Sequence, residues 1–197
     1  MPWDNLTPEQ KELLIEQYLI LLIGVVDTPV PTNLHLQKEF FILRNVAPDL
    51  SKIINFEKHM YGPYSPDLNE ALKNPIYYPE AFEFYVQDLP LVKRMIVEIS
   101  LTPKGKAAFR ELLKEYSHAE PFREFITIAK AIRLMYDPLN VEELLLLIYS
   151  TFKDWTEYSS IYKSLMAPTR RRRLAYELYK KGIISKSKYQ ELLEATP

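Results

Sequence analysis

The chain has 197 residues, 47% of them hydrophobic, no cysteine and a formal net charge of −1, which suits one large or two small globular domains with a real core. The missing cysteine excludes disulfides, thiolate nucleophiles and every cysteine-ligated zinc or iron-sulfur site. The longest apolar run, residues 18–26, is shorter than the roughly 20 residues a bilayer requires, and Glu9, Glu12 and Glu16 precede it with no cleavage pattern after it, so the expected location is the cytoplasm, with no membrane partner.

Thr7-Pro8-Glu9-Gln10 reads as a capping-box helix start, and the apolar positions over residues 13–23 wrap most of the way round the helix, which predicts a buried central element. After a break at residues 27–31, Asn33 is placed to cap a second helix through Val46, with Leu36, Phe40 and Leu43 along one face. Ala47-Pro48-Asp49 separates it from an extended segment at residues 54–60. Ser65 then starts a third helix that stops near Asn74, because Pro75 follows. Residues 82–101 alternate like two strand arms, with Asp88-Leu89-Pro90 as the predicted turn and Lys93 and Arg94 near the hairpin tip. Thr102-Pro103 repeats the cap-then-proline device and opens a helix to Tyr116.

The predicted domain boundary falls at residues 117–121, and everything after it reads helical. Phe122, Phe125, Ile126, Ala129, Ile132 and Tyr136 form a helical stripe ended by Asp137-Pro138. Asn140 with Glu143 is a second capping-box pattern, before five consecutive apolar residues at 144–148. That run has two explanations, a helix buried on several sides or a homodimer surface. A short helix at residues 158–166 and a longer one at 168–181 follow, with Gly182 as a left-handed C-terminal cap and Ser185 capping the last helix.

The segment His59-Met60-Tyr61-Gly62-Pro63-Tyr64-Ser65-Pro66-Asp67-Leu68 encodes a strand-turn-helix junction. A residue before proline is pushed out of the helical region. Ser65 is therefore preset as an N-cap, Pro66 has no N–H to leave unpaired, and Asp67 suits the positive end of the helix dipole. Leu36-Gln37-Lys38-Glu39-Phe40-Phe41-Ile42-Leu43, then Tyr61-Gly62-Pro63-Tyr64-Ser65, then Leu101-Thr102-Pro103-Lys104-Gly105, resembles the YwgA-like winged-helix-like proteins and, more distantly, the Panacea or SocA-like antitoxins. The resemblance covers roughly residues 8–116 and carries over no catalytic residue. The antitoxin side of the resemblance implies a protein-binding module of microbial type, while the order helix, helix, strand, helix, hairpin, helix is that of a winged helix. One departure is physical: a DNA-reading helix-turn-helix uses a turn of roughly 3–4 residues, whereas about eighteen separate Val46 from Ser65. Asp67 and Glu70 on the third helix also oppose a phosphate backbone.

The four glycines lie too far apart for a phosphate-cradling loop or a dinucleotide fingerprint. His35, His59 and His118 have no metal-ligand spacing, His35 and Glu39 being one helical turn apart. No nucleophile elbow is present, so no catalytic residue, cofactor or metal is expected. Residues 163–190 instead hold nine Lys/Arg and one acidic residue, a local charge of +8, which leaves −9 for the rest of the chain. This segregation makes Arg170, Arg171, Arg172, Arg173, Lys180, Lys181, Lys186 and Lys188 the candidate nucleic-acid contacts, with Lys93 and Arg94 at the wing. The competing explanation is a basic helical hairpin docked on acidic parts of its own chain. Tyr61 and Tyr64 are candidate partner-binding rings, against a packing role beside the second helix. Gln37 and Lys38, on a helix that buries Leu36 and Phe40, are expected to face solvent or to bond the neighbouring loop.

The expected fold is mainly α with a small β-hairpin: a winged-helix-like domain at residues 1–116 and a helical extension at 117–197 with a basic end. The expected function is non-enzymatic regulation, with nucleic acid as target. The alternative is a protein-interaction module of antitoxin type.

Overall fold

The computed structural model describes residues 6–89 and 94–195. The described residues are mainly helical, as the sequence implies, with two small antiparallel hairpins; the one within residues 57–64 stands where a single extended segment at 54–60 was expected. In chain order the elements are α1 (Pro8–Gly24), α2 (Asn33–Val46), β1 (Glu57–His59), β2 (Gly62–Tyr64), α3 (Pro66–Lys73), β3 (Phe82–Leu89), β4 (Arg94–Leu101), α4 (Pro103–Tyr116), α5 (Glu120–Tyr136), α6 (Val141–Thr151), α7 (Tyr162–Leu165), α8 (Pro168–Lys180) and α9 (Lys186–Glu194). Short 3-10 turns occupy Pro48–Lys52 and Lys153–Trp155.

Local caps set most boundaries. Thr7 and Gln10 form a reciprocal capping box before α1, Thr102 caps α4 through the Gly105 N–H, Asn140 and Glu143 box the start of α6, and Ser185 caps α9 through the Lys188 N–H. Each side-chain oxygen takes an N–H that the first helical turn leaves without a partner. The second helix differs from expectation by one residue. The Thr32 hydroxyl, rather than Asn33, accepts the His35 N–H at 3.2 Å, which moves Asn33 inside the helix.

Two further expectations change. Asp88 and Leu89 belong to β3, paired with Met95 and Arg94, so the predicted turn does not begin at Asp88; Pro90 and Lys93 lie outside the described residues. The helix expected over 158–166 contracts to α7, because the Ser159 hydroxyl is committed to the Tyr149 hydroxyl and the Tyr162 N–H, and the Ser160 N–H donates to the Met60 carbonyl.

The chain forms two compact units, the described parts of residues 1–56 and 65–137, and of 57–64 and 138–197. This division differs from a boundary at 116 in two ways: α5 joins the first unit, and the β1–β2 hairpin joins the second. In the first unit α1 packs against α3, α4 and α5, and α2 packs against α5. Leu19, Ile20, Leu22, Leu36 and Phe40 reach zero exposure in the shared core, and Phe125, Ala129 and Ile132 supply the α5 side. Val30, in the break between α1 and α2, exchanges both backbone hydrogen bonds with Ile99, which adds a one-residue third strand to the β3–β4 ladder.

In the second unit α6 packs against α8 and β2, and α8 against α9. Leu144, Leu145 and Leu146 are fully buried and Ile148 nearly so. Leu147 is half-buried, so four of the five residues of the run are covered within the chain.

Candidate functional site

Ser65 sits at the junction as the sequence implies. Its hydroxyl accepts the Leu68 N–H at 3.3 Å, Pro66 occupies the first helical turn and Asp67 follows. The Gln37 amide fastens this cap from α2, accepting the Ser65 N–H at 2.8 Å and donating to the Ser65 carbonyl at 3.1 Å. Asn33 adds a bond one turn earlier, donating to the Asn69 side chain at 3.2 Å. Gln37 thus bonds the neighbouring segment, and Lys38 is also buried, at 2% exposure, rather than solvent-facing. The exposed face of α3 carries Asp67, Glu70 and Lys73. That face does not suit contact with a phosphate backbone.

The hairpin that precedes this cap is held on α6. Gly62 adopts φ +80°, and a Cβ there would lie 2.9 Å from Tyr149 Cε1, so glycine meets both a backbone and a contact requirement. Tyr149 crosses the Tyr162 ring edge-on at 5.7 Å and shares a 2.7 Å hydrogen bond with the Ser159 hydroxyl. Burial holds the Tyr149 phenol above its ordinary pKa. Of the two candidate partner-binding rings, Tyr64 is half-buried against His59, with centroids 5.0 Å apart. Tyr61 and Met60, at the hairpin tip, are 40% and 48% exposed.

The basic cluster divides sharply. Arg170 reaches the Glu142 carboxylate at 2.5 Å and the Ser164 hydroxyl, while Arg173 approaches the same carboxylate at 3.3 Å. Arg171 is 2% exposed and donates to the Met166 and Leu193 carbonyls, a structural role inside the α8–α9 hairpin. Lys181 pairs with the buried Glu143 at 2.7 Å and donates to the Pro138 carbonyl. Lys188 pairs with Glu191 and donates to the Ser150 carbonyl. Arg172, Lys180 and Lys186 are exposed, with no ion pair among the described residues. Arg94 opens β4 opposite Leu89, and Lys93 lies outside the described residues.

Two polar clusters in the first unit gave no signal in the sequence. Glu16 is fully buried on α1 and accepts the N–H groups of Ile76, Tyr77 and Tyr78 at 2.7–3.2 Å. Arg133 is fully buried on α5; it donates to the carbonyls of Leu22, Ile23 and Thr28 and to both oxygens of Asp137, and its Nε lies 3.7 Å from Glu39. Burial first, then the charge of Asp137, raises the Glu39 pKa well above the carboxylate range, against the pull of Arg133. His35 is buried with its Nδ1 2.8 Å from the Thr32 hydroxyl. Among the described residues no group of three His, Asp or Glu is arranged to hold a metal ion.

Compared with known protein families and with curated proteins, the chain matches none. No described helix is long and apolar enough to cross a membrane.

Proposed function

We propose that this chain is a non-enzymatic, winged-helix-like regulatory protein. The observation that carries the reading is the Val30–Ile99 bridge, which adds a strand segment from between the first two helices to the β3–β4 hairpin. With α1, α2 and α3 in front and α4 behind, this supports a winged-helix arrangement of the first unit. The Tyr61 to Ser65 turn and the Leu101 to Gly105 helix start, through which the chain resembles YwgA-like proteins, lend the same reading support.

The proposed nucleic-acid contact is narrower than the whole basic cluster: Arg172, Lys180 and Lys186, with Arg170 and Arg173 held in reserve by Glu142. Three phosphate contacts give a slope of log affinity on log salt of roughly −2.7 for duplex DNA. Titrating duplex DNA at low salt tests this, with Arg172, Lys180 and Lys186 replaced together by alanine. Loss of binding in the triple variant supports the reading; unchanged binding, or none in the parent, sinks it. Glu142→Gln frees Arg170 and Arg173, and tighter binding by that variant would put them at the interface.

A protein partner of the antitoxin type is the second reading. The observation favouring it is that Arg170, Arg171, Arg173, Lys181 and Lys188 are all engaged within their own unit, while Met60 and Tyr61 stand exposed at the hairpin tip. Co-purification with the product of a neighbouring reading frame, lost on Tyr61→Ala, supports it. Retention of the partner by that variant counts against the hairpin tip as the contact.

A further inference from the structure

A cavity of about 430 Å³ opens in the first unit between α1, α4 and α5. That volume falls within the roughly 300–1,000 Å³ of small-ligand sites. Four aromatic rings line it as two pairs. Tyr18 and Phe125 lie 5.0 Å apart and tilted by 57°, and Tyr116 and Phe122 lie 5.7 Å apart at 41°. Leu14 and Leu21 supply aliphatic wall.

Among the described residues that line it, Asp49 alone is charged. Burial and then the Asp49 charge push the Tyr18 phenol up to about 12, which places that carboxylate within electrostatic reach of the buried ring. Two cations are near. Lys52 is 3.5 Å from Asp49 in an exposed pair one helical turn away, an arrangement worth little in water. The Arg123 guanidinium is occupied by the Ser117 and His118 carbonyls.

Aromatic faces attract cations through their quadrupoles, and the attraction grows as water is excluded. A neutral apolar ligand would find use for the rings and none for the Asp49 carboxylate; an anion would be repelled by it. We propose that this cavity binds a small organic cation, an ammonium on an aromatic or aliphatic body, with the charge at the Asp49 end and the body between the ring pairs. This site is independent of the nucleic-acid and hairpin-tip readings.

The probe is phenyltrimethylammonium, compared with its neutral isostere tert-butylbenzene, titrated into the full chain and followed by ligand-observed NMR. The cation is expected to bind roughly 2- to 30-fold more tightly than the isostere, the span that a cation–π contact supplies. Asp49→Asn is expected to weaken the cation severalfold and leave the isostere unchanged. This position is exposed, so the variant folds as the parent does. Phe122→Leu is expected to weaken both ligands. Equal or tighter binding of tert-butylbenzene overturns the proposal, as does cation affinity indifferent to Asp49→Asn or to Phe122→Leu. So does the absence of phenyltrimethylammonium binding at millimolar concentration.

Discussion

Arg133 shows how much one buried side chain can organise. A guanidinium presents five donors in a fixed fork, and here they serve three backbone carbonyls at the end of α1 and in the loop after it, together with Asp137. Arg133→Met leaves those carbonyls and Asp137 without their donor, and a loss of about 3–5 kcal/mol is expected in urea unfolding. Arg133→Lys rescues only part of it, because an ammonium cannot span the fork. Neighbouring Lys38 and Glu39 make stability depend on pH in opposite directions. Glu39 keeps its proton in the native chain above the point, about pH 4.3, where the unfolded chain releases it. The native state then binds more protons, so this group lowers stability as pH rises. Glu39→Gln is expected to gain on the parent progressively as pH rises above about 4.3, read from urea unfolding at a series of pH values. Burial lowers the Lys38 pKa to about 7. Above that value the unfolded chain holds the proton and the native chain does not, so this contribution rises with pH until roughly 10.4. Lys38→Met should flatten that rise, measured by unfolding at pH 7 and pH 10.

At the level of elements, the two left-handed glycines separate backbone strain from contact. Gly182 ends α8 at φ +72° with nothing within 4 Å of the place a methyl group would take, whereas Gly62 at φ +80° faces Tyr149. Gly182→Ala is expected to cost about 1–2 kcal/mol, the penalty for a left-handed L-residue. Gly62→Ala adds displacement of the hairpin from α6, and a larger loss in thermal unfolding is expected. If the two variants melt alike, the Tyr149 contact contributes nothing. Glu142 and Glu143 act at this scale too. They open α6 at the positive end of its dipole and bind Arg170, Arg173 and Lys181 from the following helices. Three of the nine basic residues in the segment are thus counter-charges of a helix start.

Across the whole molecule, what was legible in the sequence was what is local. Ser65, Thr102, Asn140 and Ser185 cap helices through partners three residues away, and each could be read from adjacent residues. The Val30–Ile99 bridge, the Arg133 carbonyl contacts and the Gly62–Tyr149 approach span about 70 to 110 residues, and no short pattern marks them. The candidate site followed the same rule. A run of arginines is visible in sequence, but Glu142, which engages two of them, lies 28 and 31 residues away. The position of α5 gives a test at this scale. A fragment ending at 116 lacks Phe125, Ala129 and Ile132 from the first core and should lose cooperative melting, whereas one ending at 137 keeps them. Equal melting of the two fragments would count against α5 as part of that core.

The β1–β2 hairpin precedes its partner helix in the chain by a long interval. Tyr149 is made about 90 residues after Gly62, which at 5–20 residues per second of synthesis is a delay of roughly 4–18 s. Through that interval the hairpin lacks its partner helix, and the second unit closes late in synthesis whatever the intrinsic speed of its helices.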